Sequence, residues 1–167
     1  MFLATMAFIR AGCEKPVKKA VLFPYLFREF LMNRQQLTKM YTDYLTREGY
    51  QPTLDEDGDV RFKAEGFTYY IIIDDQDERF FRLLFPNFWS IDDGDELARA
   101  LISANYATMR TKVAKVYVHD DGKNTSASIE MFLDPPEQFA KTFPRCMSAL
   151  RTSVNTFVER MKELGKA

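Results

Sequence analysis

Apolar residues from Leu37 onward fall at Leu37, Met40, Tyr41, Tyr44 and Leu45, the three- and four-residue spacing of a helix, and Gly49 stops the pattern where a C-terminal cap belongs. The period then becomes two. Val60, Phe62 and Ala64 alternate with Arg61, Lys63 and Glu65, which predicts a strand with one wet face, and Gly66 turns the chain. Phe67 to Ile73 is β-branched and aromatic, and a third apolar run from Arg79 to Trp89 follows the polar turn Asp74 to Glu78. Three consecutive strands imply an antiparallel meander.

Beyond Ile91, the run Asp92, Asp93, Gly94, Asp95, Glu96 supplies cap candidates and first-turn acids that complement a helix dipole. Leu97, Leu101, Ile102, Tyr106 and Met109 are expected to form the apolar stripe of this second helix. Ala114, Val116 and Val118 alternate with Lys115, Tyr117 and His119. Across the turn Asp120 to Asn124, Ala127, Ile129, Met131 and Leu133 alternate with Ser126, Ser128, Glu130 and Phe132, so the pair reads as a hairpin ended by Pro135 and Pro136.

In the last segment Phe143, Met147, Leu150, Val154, Phe157, Met161 and Leu164 step by four and three, with Pro144 expected at a helix start or kink. Cys146 and Val158 widen this stripe beyond a coiled-coil seam, into a face suited to a sheet. The predicted fold class is α+β: helix, three-stranded antiparallel meander, helix, β-hairpin and long C-terminal helix.

Composition adds boundaries to this picture. The 167 residues suit one domain, and 46% apolar with 28% charged residues is an ordinary globular balance. Charge is uneven: residues 43–96 hold fifteen acids against five bases, while both ends are basic. That acidic middle argues against a nucleic-acid partner, because phosphate binding needs clustered cations. Arg10 and the Lys15 to Lys19 cluster interrupt the first apolar segment, so no membrane span is expected. Met1 to Ile9 lacks the basic start and cleavage site of a signal peptide, and Arg10 spoils Cys13 as a lipid anchor. With only Cys13 and Cys146, a reducing cytoplasm is the expected location.

The search for chemistry is brief. His119, the only histidine, has no second imidazole for a metal site and falls on the wetter strand parity. Cys146 lies on the core side of the last helix, where a thiol acts as a small hydrophobe. A calcium-binding loop opening at Asp55 would need Gly sixth and Glu twelfth, where the chain has Val60 and Gly66. The carboxylate clusters Asp55 to Asp59, Asp74 to Glu78, Asp92 to Glu96 and Asp120 to Asp121 all lie between elements, as solvated turns do. No catalytic residue, cofactor or metal ligand is assigned.

The second face of the sheet is more informative. If Phe67, Tyr69, Ile71 and Ile73 face the helices, then Thr68, Tyr70 and Ile72 face away, joined by Phe80, Leu84, Pro86, Tyr117 and Phe132. Tyr70, Ile72, Leu84 and Tyr117 are therefore candidate protein-binding residues, unless the N-terminal segment folds over them.

The element order, with the stretches DEDGDVRFKAEGFTYYIIID, FFRLLFPNFW, ALISANYATMRTKVAKVYVHDDG and ALRTSVNTFVERM, resembles the bacterial YbjN family, whose fold is like that of class I type III secretion chaperones. The resemblance covers about residues 34 to 164. It implies a homodimer-prone module that binds another protein and has no enzymatic site to carry over. The near-neutral charge departs from the acidity of secretion chaperones and favours the YbjN-like branch. A small-ligand-binding regulator or enzyme with an aromatic-lined pocket is the competing expectation. Residues 1–33 lie outside the resemblance: Val21 to Met32 is an extra docking helix, or Met32 or Met40 is the native start, and the sequence leaves both open.

Overall fold

In a computed structural model the structure describes residues 32–166. The expectations for the segment ahead of Met32 lie outside them. The order is α1 (Arg34–Arg47), β1 (Thr53–Leu54), β2 (Val60–Ala64), β3 (Phe67–Ile73), β4 (Phe80–Ser90), α2 (Gly94–Arg110), β5 (Ala114–Val118), β6 (Asn124–Phe132) and α3 (Phe139–Leu164). The fold is α+β, and the six-stranded sheet of the described residues runs β1-β2-β3-β4-β6-β5 with every neighbour antiparallel. The meander and the hairpin are thus joined edge to edge through β4 and β6.

Local chemistry sets the ends. Asn33 accepts from the Gln36 backbone N–H at 3.0 Å while Gln36 accepts from the Asn33 N–H at 2.9 Å, a capping box that starts α1. At its other end Gly49 takes φ +88°, and the Tyr50 N–H reaches back to the Leu45 carbonyl at 2.9 Å. Asp93 caps α2, its side chain accepting from the Glu96 N–H at 2.7 Å.

The core lies between the helices and the face of the sheet carrying Phe62, Tyr69, Ile71, Phe81, Leu83, Ala127 and Ile129. Rings dominate it. Phe139 stands edge-on to Tyr41 at 4.7 Å and Tyr44 at 4.9 Å, with Phe81 and Phe143 at 5.4 and 5.1 Å.

Three expectations are corrected here. Helix α2 does not bury Leu101, Ile102 and Met109; it buries Ala100, Ser103, Ala104 and Ala107, and the three large residues are 53, 52 and 68% exposed. Small side chains let a helix sit close to its neighbours, so the packed face is the one with less apolar bulk. Pro144 does not mark the helix start, one of its two expected roles: α3 begins at Phe139 and carries Pro144 inside it, because Phe139 and Phe143 are both buried and hold the opening turns in place. Phe67 has the parity of the core face but stands at the sheet's end, more than half exposed, against Phe85. The two-residue β1 had no sequence signal.

Candidate functional site

Register places the outward residues. Arg61 is opposite Tyr70, Tyr70 opposite Leu84, Leu84 opposite Ser128, and Ser128 opposite Lys115, a row across five strands. Ile72, Arg82 and Glu130 form the next row, and Tyr117 stands opposite Ser126. Directly opposed residues share a face, so Tyr70, Ile72 and Leu84 are brought together as expected. Tyr117 is linked to them through Arg82, whose Nη2 donates to the Tyr117 hydroxyl at 3.5 Å. All four are half-buried.

An ion network crosses this face. Glu130 pairs with Lys115, accepts from Ser128 Oγ at 3.0 Å, and lies 3.5 Å from Arg82 Nε, a charge contact without hydrogen-bond alignment. Burial alone would raise the Glu130 pKa, but hydrogen bonds from Lys115 and Ser128 and the charges of Lys115 and Arg82 outweigh it. The carboxyl is held below its ordinary value.

The turn carboxylates serve the backbone. Asp55 accepts from the Asp57 and Asp59 N–H groups, Asp74 from those of Gln76 and Asp77, and Asp121 from that of Lys123. Asp59 accepts from the Ile73 N–H at 2.9 Å and lies 3.5 Å from Arg34; burial, with Asp55 and Asp57 close by, raises its pKa. Glu96 accepts from the Trp89 indole at 3.0 Å and from the Asp92 N–H at 2.8 Å. Among the described residues no three His, Cys, Asp or Glu side chains are grouped as a metal site requires. Burial pushes the Cys146 thiol up, away from the reactive thiolate.

One pair escaped the sequence reading. His119 Nε2 lies 2.7 Å from Ser126 Oγ, the spacing of a base and a nucleophile. Ser126, however, is 1% exposed and its Oγ also accepts from the Asn87 N–H at 3.0 Å. Asn87 has φ +50° in the irregular stretch of β4 between Phe85 and Trp89, so the hydroxyl fastens that bulge to β6. The imidazole stacks on Tyr117 at 5.9 Å.

Two further surfaces stand out. On α2, Leu101, Ile102 and Met109 fall within one arc of about 100°, with exposed Ala98 and Asn105 between them. Acidic Asp93, Asp95 and Glu96 stand at one end of this helix, and basic Arg110 and Lys112 at the other. The second surface is an aromatic-lined cleft of about 300 Å³ between the β2–β3 turn and α3.

Among the described residues no helix is long and apolar enough to cross a membrane. Comparison with protein-family models gives no match, and comparison with curated proteins gives none. In a solved structure, the crystal structure of an uncharacterized protein from Methanothermobacter thermautotrophicus, the likeness covers 78% of this chain and 97% of that one, at 12% identity and a TM-score of 0.49.

Proposed function

We propose that the chain is a non-catalytic protein-binding module of chaperone-like or regulatory type, in keeping with its resemblance to the YbjN family, and that it pairs with a second copy through the outward face of α2. The carrying observation is the inversion of that helix: Leu101, Ile102 and Met109 face solvent, while Ala100, Ser103, Ala104 and Ala107 face the core.

A second copy is the occupant that charge favours. A two-fold axis across the middle of α2 sets the two helices antiparallel, so the acidic first turn of each meets the basic last turn of the other and the helix dipoles oppose. Leu101 then meets Met109 of the other copy, and Asn105, midway between them, lies near the axis. The sequence reading put the seam on the sheet. Half-burial and the Arg82–Glu130–Lys115 network make that face less apolar than α2, and it is left to the partner protein, with Tyr70, Ile72, Leu84 and Tyr117 as its contacts.

Cysteine cross-linking tests the arrangement. In a Cys13→Ser background, Asn105→Cys should form a disulfide-linked pair under mild oxidation, while Glu159→Cys, exposed on α3, should not. Equal linkage by both variants, or by neither, contradicts the reading.

A further inference from the structure

The cleft beside α3 is built from three separate parts of the chain. Phe67, Tyr69, Phe85 and Phe88 line one wall, Val154 and Val158 of α3 line the other, and Glu65, Arg151 and Asn155 complete it. The rings form a continuous series: Phe67 to Phe85 at 5.3 Å, Tyr69 to Phe85 at 4.8 Å, Phe85 to Phe88 at 5.7 Å. A concave apolar slot with a few converging polar groups is the usual form of a small-molecule site, and this volume is at the small end of the range.

Its polar groups are incompletely used. Arg151 Nη1 pairs with Glu65, yet Arg151 Nε is buried without a hydrogen-bond partner. Tyr69 is 2% exposed, and its hydroxyl makes no hydrogen bond among the described residues although Arg151 and Glu65 are its charged neighbours. A buried donor left in the state of Arg151 Nε is uncommon in folded proteins.

Glu65 is itself unusual. It occupies the first central position of the two-residue turn between β2 and β3 at φ +52°, followed by Gly66 at φ +85°. Turns of this form favour Asn, Asp or Gly at that position. An uncommon residue in a left-handed conformation, with its carboxylate on the only arginine among the described lining residues, marks this end of the cleft as a candidate for function.

We propose that the cleft binds a small aromatic carboxylate, its ring between the phenylalanine wall and Val154 and Val158, its carboxylate taking the place of Glu65 on Arg151. An edge-to-face ring contact with Phe67 and Phe85 accounts for the aromatic class. The acidic head follows from Arg151, whose Nε and Nη groups form the fork that a carboxylate fits, and Glu65 already shows that a carboxylate reaches it. Tyr69 supplies a further donor at the same end. Among the described lining residues, one arginine with no lysine suits a single negative charge better than a phosphate.

The test uses the full chain with two probes, 3-phenylpropionate and its neutral amide, followed by methyl shifts of Val154 and Val158 in nuclear magnetic resonance titrations. The acid should saturate the shifts and bind about tenfold more tightly than the amide. Arg151→Gln should erase that preference. Glu65→Gln, which removes the internal competitor, should tighten acid binding severalfold. Both residues lie at a solvent-facing rim, and unchanged circular dichroism checks that the variants are folded. No saturation at millimolar acid, equal affinity for acid and amide, shifts centred on Leu101 and Ile102, or weaker binding by Glu65→Gln would each overturn the proposal.

Discussion

The inverted packing of α2 is open to a paired substitution. Ala104 is 4% exposed in the core, and Ala104→Leu forces three more carbon atoms into it. Overpacking of this kind costs about 1–3 kcal/mol, and the two residues hardly differ in helix propensity. Leu101→Ala removes the same three atoms from a side chain more than half exposed. No closed cavity results, so the loss should fall well below the 2–5 kcal/mol typical of a buried leucine, at under about 1 kcal/mol.

Urea unfolding followed by circular dichroism reads the difference. With a slope of about 2 kcal/mol per molar urea, Ala104→Leu should lower the midpoint by about 1 M and Leu101→Ala by less than half of that. Two protein concentrations are needed, because a self-associating chain gains stability by mass action and Leu101→Ala would weaken that part alone. If Leu101→Ala proves the more damaging at low concentration, the helix is packed on its large residues after all and the reasoning fails.

Phe139→Ala should cost about 3–5 kcal/mol, since it empties the site ringed by Tyr41, Tyr44, Phe81 and Phe143, and thermal melting should show the largest drop of any single change considered. Glu130→Gln should cost about 1–2 kcal/mol at neutral pH. Because the folded-state pKa of Glu130 is depressed, its contribution is present above the unfolded-state value and is lost as pH falls through the folded one, so the gap from wild type should close in acid; a gap constant with pH would contradict this. Glu96→Ala should lose about 1 kcal/mol and shift Trp89, the only tryptophan, to longer emission wavelength, as its indole N–H loses its acceptor; unchanged emission would place Trp89 elsewhere.

How far the sequence revealed this structure depended on what kind of signal each element leaves. Strict alternation in Val60–Ala64 and the β-branched, aromatic run Phe67–Ile73 gave strands and facing together, because the side-chain period of a strand is fixed at two. Parity alone therefore put Tyr70 and Leu84 on one face, while only the register sets them opposite each other. Helix α2 misled because periodicity is weighted by bulk: Leu101, Ile102 and Met109 outweigh Ala100, Ser103, Ala104 and Ala107, yet the small set is what close packing selects. The Pro144 signal was local, and the burial of Phe139 ahead of it is tertiary. The cleft left no trace in one dimension, since residues 65–69, 85–88 and 151–158 meet only when the sheet and α3 pack. Ser126 and His119 converge likewise, through the hairpin.

The pairing of two copies through α2 is the central claim, and sedimentation equilibrium on the full chain tests it most directly. Each substitution at a two-fold seam acts twice. Ile102→Lys removes about 1 kcal/mol of remaining apolar burial from each copy and adds two like charges, about 2–3 kcal/mol in all, or a 30- to 150-fold weaker association by rough conversion. The wild type at micromolar concentration should sediment at twice the 19.5 kDa chain mass, Ile102→Lys at the single-chain mass with unchanged circular dichroism, and Leu84→Glu at the doubled mass. A wild type of single-chain mass throughout, or a pair broken by Leu84→Glu and kept by Ile102→Lys, would contradict the account.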